Sequence, residues 1–243
     1  ADVIGKKSIR KKEIDAAHKA SGYIFPSQML ASEINNNSKP FVIIHGTYQV
    51  EPDRKNIIFN KSRQEHDIHC VYAGTLDMRK GGAAAAVAAA EFLPRGYHIH
   101  IIGFGSNDEI KTIQRYIHEI AQKTKAKVSY DGLLTGEDYI DFLQSCDIGL
   151  STQDPEPSFN ATSFPSKILS YLANGLRVVS IRIPVVEQSA VGNRLFYYEK
   201  QTPEQIAQAI LKVDINEEYD SRQVISQLSV DFKEKLIRLL DRY

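Results

Sequence analysis

The chain has 243 residues, 42% hydrophobic and 25% charged, enough for one large or two small soluble domains. Its 30 Lys+Arg balance its 30 Asp+Glu, so the formal net charge is zero and no basic field argues for a nucleic-acid partner. The longest low-polarity run, Gly81 to Ala90, is mostly alanine and falls well short of the ~20 residues that span a membrane.

Two cysteines, Cys70 and Cys146, stand far apart in apolar contexts. They predict two reduced, buried thiols and a cytoplasmic protein. The chain opens on Ala1 rather than methionine, as expected of a fragment or a processed chain. Residues 1–20 are polar and helix-prone, and the cluster Lys6, Lys7, Arg10, Lys11 and Lys12 reads as a solvated helix face.

Gly22 to Phe25 predicts a short strand, and Pro26-Ser27 opens a helix over Gln28 to Ile34. The run Asn35 to Ser38 is a turn, and Phe41 to Ile44 predicts a strand that leads into a polar loop. Residues 51–66 are charged and irregular. Ile68 to Ala73 predicts a buried strand, followed by a glycine loop from Gly74 to Gly82 and an alanine-rich helix to Phe92. Strand, glycine loop and helix form the phosphate-binding topology of doubly wound sheets. Gly74 permits close backbone approach there, and Lys80 can reach an anionic oxygen.

His98 to Ile102 predicts the next strand, with His98 and His100 on one face at period two. A His-x-His pair can hold a metal, but no third ligand lies nearby in sequence, so an ordinary half-exposed strand face is preferred and no metal is expected. Gly103-Phe104-Gly105 stands at the strand's carboxyl end, where ligands bind in such sheets. An amphipathic helix over 107–124 uses Ile110, Ile113, Ile117 and Ile120. Val128 to Tyr130 predicts a strand ending in Asp131 to Leu134. A helix over Glu137 to Ser145 with Thr135 as its cap, and a strand over Cys146 to Ser151, follow.

The most informative stretch is Asn160 to Ser180, NATSFPSKILSYLANGLRVVS. It reads as loop, helix, glycine stop and buried strand. Ser163 or Phe164 can cap the helix, with Pro165 in its first turn. Ile168, Leu169, Leu172 and Ala173 share one face, and Asn174-Gly175 closes it. Ser166 and Lys167 stand beside the helix start, where backbone N–H groups and the dipole favour phosphate. A strand over Leu195 to Tyr198, a helix from Pro203 and an amphipathic helix over 222–241 complete the chain. Strands alternate with helices throughout, which predicts an α/β fold with a doubly wound parallel sheet.

FPSKILSYLANGLRVVS resembles the segment FPSK-(I/L)-x-E-Y-L-A-x-G-x-P-V-(I/V) in the C-terminal domain of GT-B glycosyltransferases of family 4, or group 1. The resemblance implies a Rossmann-like, donor-binding half of such an enzyme. It divides the chain into an N-terminal-domain remnant (1–40), an interdomain crossing (41–66), the nucleotide-sugar domain (67–221) and a final helix (222–243) packing back across the N-terminal domain. The diphosphate would rest on Ser163, Phe164, Pro165, Ser166 and Lys167. The loop Gly74 to Gly81 is similar to the family's G-R-L-x-x-x-K-G, with Lys80 and Gly81 matching and Thr75 in place of arginine, so that Arg79 is its substitute. Gly103, Phe104 and Gly105 would line the donor, and Gly132, Leu133 and Leu134 would meet the base. Cys146 to Ser151 is similar to the family's A-D-(I/V)-x-L-x-P, with Asp147 its usual carboxylate. Two glutamates of the family are replaced by Thr162 and Ser170, and Asp154 and Glu156 are candidates to bond the sugar hydroxyls instead.

The resemblance implies transfer of a hexose from a UDP- or GDP-linked donor, without metal or cofactor, in bacterial polysaccharide or glycolipid biosynthesis. The acceptor, a glycan or glycolipid, would bind through an N-terminal domain, and a peripheral membrane contact belongs to the full-length protein. No catalytic residue is assigned, and the fragment alone is expected to be inactive. The alternatives are a non-catalytic nucleotide-sugar-binding module and a GT-B-shaped nucleotide-sugar epimerase.

Overall fold

The computed structural model describes residues 14–53, 67–77, 81–155 and 162–242. The chain begins with a small β–α–β unit. Strand β1 (Tyr23–Phe25), helix α1 (Gln28–Ile34) and strand β2 (Phe41–Ile43) follow one another, and β1 pairs with β2 in parallel, Tyr23 opposite Phe41. Residues on both sides of position 40 therefore belong to one unit. Its core is Tyr23, Phe25 and Ala31. Ser27 caps α1, its hydroxyl accepting from the Leu30 N–H at 3.1 Å. The same hydroxyl donates to the Thr162 carbonyl at 2.6 Å and so pins the unit to the rest of the chain.

The main sheet carries β3 (Ile68–Thr75), β4 (Tyr97–Phe104), β5 (Lys127–Gly132), β6 (Ile148–Ser151), β7 (Arg177–Ile181) and β8 (Phe196–Tyr198). Between and after them run α2 (Gly82–Ala89), α3 (Asn107–Ala121), α4 (Gly136–Gln144), α5 (Lys167–Ala173), α6 (Pro184–Glu187), α7 (Pro203–Leu211) and α8 (Ser221–Leu240). All strand pairs are parallel, in the order β5-β4-β3-β6-β7-β8. The order reverses between β3 and β6, which is the switch point of a doubly wound, Rossmann-like sheet. The predicted fold class is the observed one.

The sequence explains this layering. Cys70 to Ala73, Ile99, Ile101, Ile102, Ile148 and Leu150 are buried, as central parallel strands covered on both faces must be. Helix α2 is almost pure alanine, so it lies close between its neighbours α3 and α7. Helix α3 starts on a capping box between Ser106 and Glu109. Both cysteines are free and buried. Helix α8 packs against α5 and β2, with the Phe232 ring edge-on to Tyr48 at 6.3 Å. Among the described residues, no helix is long and apolar enough to cross a membrane.

Candidate functional site

A cleft of about 720 Å³ opens where β3 and β6 part at their carboxyl ends. The two strands pair only through Cys70 with Ile148 and Val71 with Gly149. Beyond that point Tyr171 of α5 fills the space between them. Its buried hydroxyl accepts from the Ala73 N–H at 2.8 Å and donates to the Leu150 carbonyl at 3.4 Å. Gly149 makes room for this ring, since a Cβ there would lie 2.3 Å from the Tyr171 Cγ.

The cleft walls are the end of β3 (Tyr72 to Thr75), Gln153 and Asp154 after β6, the start of α5, and the segment Thr47 to Glu51 after β2. The Lys167 ammonium sits 4.0 Å from the centroid of the Tyr72 ring. Gly74 leaves space beside it, because a Cβ there would lie 3.2 Å from Lys167 Nζ. Burial pushes the Tyr72 hydroxyl up to about 12, so it is a neutral donor, and it bonds the Thr75 carbonyl at 3.1 Å. A Cβ on Gly82 would come within 2.8 Å of that hydroxyl. The glycines on either side of the loop thus serve the Tyr72–Lys167 stack as well as the backbone turn.

The approach to α5 differs from expectation. Neither Ser163 nor Phe164 caps the helix, which begins at Lys167 after an αR Ser166 that makes no side-chain cap bond. The Ile168 N–H bonds the Pro165 carbonyl at 3.1 Å and the Leu169 N–H bonds that of Ser166 at 3.1 Å. Pro165 has no N–H and restrains the residue before it away from the α region, so a tight turn precedes the helix. Phe164 wedges this turn in place, stacked on His45 at 4.8 Å between centroids.

His45 joins three parts of the molecule. Its Nδ1–H donates to the Pro26 carbonyl at 2.9 Å, and its Nε2 accepts from the Ala190 N–H at 3.4 Å. Burial lowers its pKa, against the opposing pull of the Pro26 carbonyl.

The family model for glycosyl transferases group 1 matches residues 67–214. The chain belongs to this family. No curated protein matches its sequence. Its fold is that of the Rossmann-like C-terminal half of GT-B glycosyltransferases. It is similar to sucrose-phosphate synthase from Thermosynechococcus elongatus at 14% identity and a TM-score of 0.66, over 92% of this chain and 59% of that one. It is similar to HepE from Anabaena, solved in complex with UDP, at 17% identity and a TM-score of 0.66, over 92% of this chain and 64% of that one. TarM matches at 16% identity and a TM-score of 0.57, over 94% of this chain and 42% of that one. The chain therefore spans less than two thirds of the length of these solved relatives.

In this glycosyltransferase-family chain the cleft gathers Gly74, Thr75, Asp154, Ser163, Phe164, Pro165, Ser166, Lys167 and Ser170. Gly81 stands beside them, left-handed at φ 66°, with space for a Cβ 3.9 Å from that of Asp154. Arg79, Lys80 and Glu156 lie outside the described residues. Gly103 supports the cleft from behind rather than lining it. Its φ is 140°, and a Cβ there would lie 1.8 Å from the Gly74 carbonyl oxygen. Gly103 to Gly105 and Gly132 to Leu134 follow the carboxyl ends of β4 and β5, on the same edge of the sheet but outside the cleft lining. Phe104 and Leu133 are exposed there. Thr162 is also outside the lining, its carbonyl held by Ser27. Ser170 faces the cleft with its hydroxyl 3.2 Å from that of Tyr139. Glu187 is ion-paired with Arg182 away from the lining, whereas Asp154 contributes to it.

Tyr72, Tyr139, Tyr171 and the Thr47 to Glu51 segment were not legible as site residues. A tyrosine inside an apolar strand or helix reads as core. The useful signal for Tyr72 was its place two residues before Gly74, near the carboxyl end of β3.

Proposed function

We propose that this chain is the donor-binding half of a glycosyltransferase that moves a hexose from a nucleotide-diphosphate sugar to a glycan or glycolipid, in bacterial polysaccharide or glycolipid biosynthesis. The observation that carries the reading is Lys167 at the switch-point cleft, held over Tyr72 and against Gly74. As the bond from the anomeric carbon to the diphosphate breaks, negative charge builds on the leaving oxygens. A fixed ammonium and hydroxyl donors from Thr75 and Ser166 would stabilise that charge, at roughly 3 kcal/mol for a well-placed donor. Such a site needs neither metal nor cofactor. Arg79 and Lys80 of the β3–α2 loop would add further positive charge. The nucleoside would run along the sheet edge over Gly103 to Gly105 and Gly132 to Leu134. Asp154 would bond sugar hydroxyls. The acceptor, and any base acting on it, would come from an N-terminal domain.

Of the two candidate bases, uridine is favoured because HepE was solved with UDP and with UDP-glucose. Calorimetric titration with UDP, GDP and their glucose derivatives tests this. UDP should bind, and Lys167→Ala should weaken it at least tenfold, the loss of one charge-assisted contact. No binding by any nucleotide, or equal binding by the variant, would overturn it.

A second reading is a nucleotide-sugar-binding module without transfer. It is favoured by Thr162 and Ser170, which put no carboxylate at either family position. Turnover of the UDP-sugar by the full-length protein separates the two. Epimerase chemistry gains no support, since no histidine lines the cleft among the described residues.

A further inference from the structure

Three histidines meet on one face of the main sheet, away from the cleft. His69 of β3 stands opposite His98 of β4, and His100 follows at period two. Sequence alone offered His98 and His100 without a third ligand, and the β3–β4 register supplies it. One ring nitrogen from each lies within 4.8 Å of those of the other two. His69 Nδ1 and His100 Nε2 are 2.9 Å apart. The rings of His98 and His100 are centred 3.7 Å apart, and His100 is 8% exposed.

A second feature is aimed at this cluster. The β4–β5 register passes from Ile101 opposite Tyr130 to Ile102 opposite Gly132, which leaves Asp131 unpaired in a bulge. Bulges re-aim side chains. This one brings the Asp131 carboxylate to 3.0 Å from His100 Nδ1. Ser129 donates to the same carboxylate at 2.9 Å and lies 2.9 Å from His98 Nε2. With Nδ1–H committed to Asp131, His100 keeps the lone pair on Nε2 that faces His69. A carboxylate that fixes the tautomer of an imidazole is the usual support of a metal-binding histidine.

We propose that His69, His98 and His100 form a trihistidine site for Zn²⁺, with Asp131 orienting His100 and the fourth position left to water. Three imidazoles and an open position suit zinc, whose metal–nitrogen distances are about 2.0–2.1 Å. His69 lies six residues before Thr75 along β3, about 20 Å away, so the ion does not touch the diphosphate pocket. It ties β3 to β4, with Asp131 as the link to β5, and steadies the edge of the sheet that carries Gly132 to Leu134.

The test uses the untagged chain, stripped with chelator and titrated with Zn²⁺ against a chromophoric competitor, then with Co²⁺. One equivalent should bind at micromolar concentration or tighter, and Co²⁺ should show the visible bands of a tetrahedral site. His69→Gln and His98→Gln should each weaken binding at least tenfold, and Asp131→Asn by about 10- to 100-fold. His118→Gln, exposed on α3, should leave it unchanged. Ring-proton NMR of the unaltered chain makes the result independent of variant folding, since Zn²⁺ should shift three histidine spin systems and no others. Absence of micromolar binding, retention of it by both His69→Gln and His98→Gln, or shifts of other histidines would overturn the proposal.

Discussion

Tyr171 is wholly buried, yet its hydroxyl meets a specific need. Once β3 and β6 stop pairing, the Ala73 N–H points into the gap, and this hydroxyl accepts from it at 2.8 Å. Tyr171→Phe leaves that N–H orphaned and should cost about 1–3 kcal/mol, read as a lower urea midpoint at unchanged slope. Gly103 is a second single-atom constraint. Alanine there meets the Gly74 carbonyl at positive φ and should cost about 1–3 kcal/mol or more, while weakening nucleotide binding by displacing the β3 loop. At this scale sequence was uneven. Ser166 and Lys167 were legible because they sit in the FPSK segment, beside a helix start. Tyr72 and Tyr171 were not, because their partners are backbone groups made available only by the splay of two strands. The histidine cluster was half legible, since period two gave His98 and His100 whereas His69 required the register.

Among the elements, the β1–α1–β2 unit is joined to the rest of the chain by apolar packing of Met29 and Tyr48 and by polar contacts that include those of His45. Its neutral form, protonated on Nδ1, suits a carbonyl on one side and an N–H on the other. Protonating Nε2 would set a donor against the Ala190 N–H. Because the folded pKa is lowered, the unfolded chain binds this proton more tightly, so His45 contributes stability that is present above its ordinary value of 6.5 and lost as pH falls below it. Thermal unfolding should therefore become easier from pH 7 towards pH 5, and His45→Gln should flatten that dependence. An unchanged slope in the variant would place the acid sensitivity elsewhere. Element types were mostly legible from β-branched runs and helical periodicity, but their ends were not. Strand β6 starts at Ile148 rather than Cys146, because Asp147 instead bonds the His69 backbone, its N–H to the His69 carbonyl and its carboxylate to the His69 N–H. Helix α5 starts late because Phe164 packs on His45 and proline forces a turn.

For the whole molecule, alternation of strands and helices predicted a parallel doubly wound sheet, and the strand order then follows from no single segment. The reversal between β3 and β6 places the cleft, and it is a property of the assembled sheet. The Thr47 to Glu51 segment, which follows β2 of the smaller sheet, also reaches the cleft wall, and no local pattern announced it. A ligand bound there should stabilise the fold. UDP at a hundred times its dissociation constant should add about 2.7 kcal/mol and raise the melting temperature by several degrees. The most direct test of the account is amide hydrogen exchange of the chain with and without UDP. Protection concentrated at residues 72–77 and 163–170, and reduced by Lys167→Ala, is the predicted result. No change in those two segments, with protection appearing in other loops or nowhere, would contradict a donor site at the switch point.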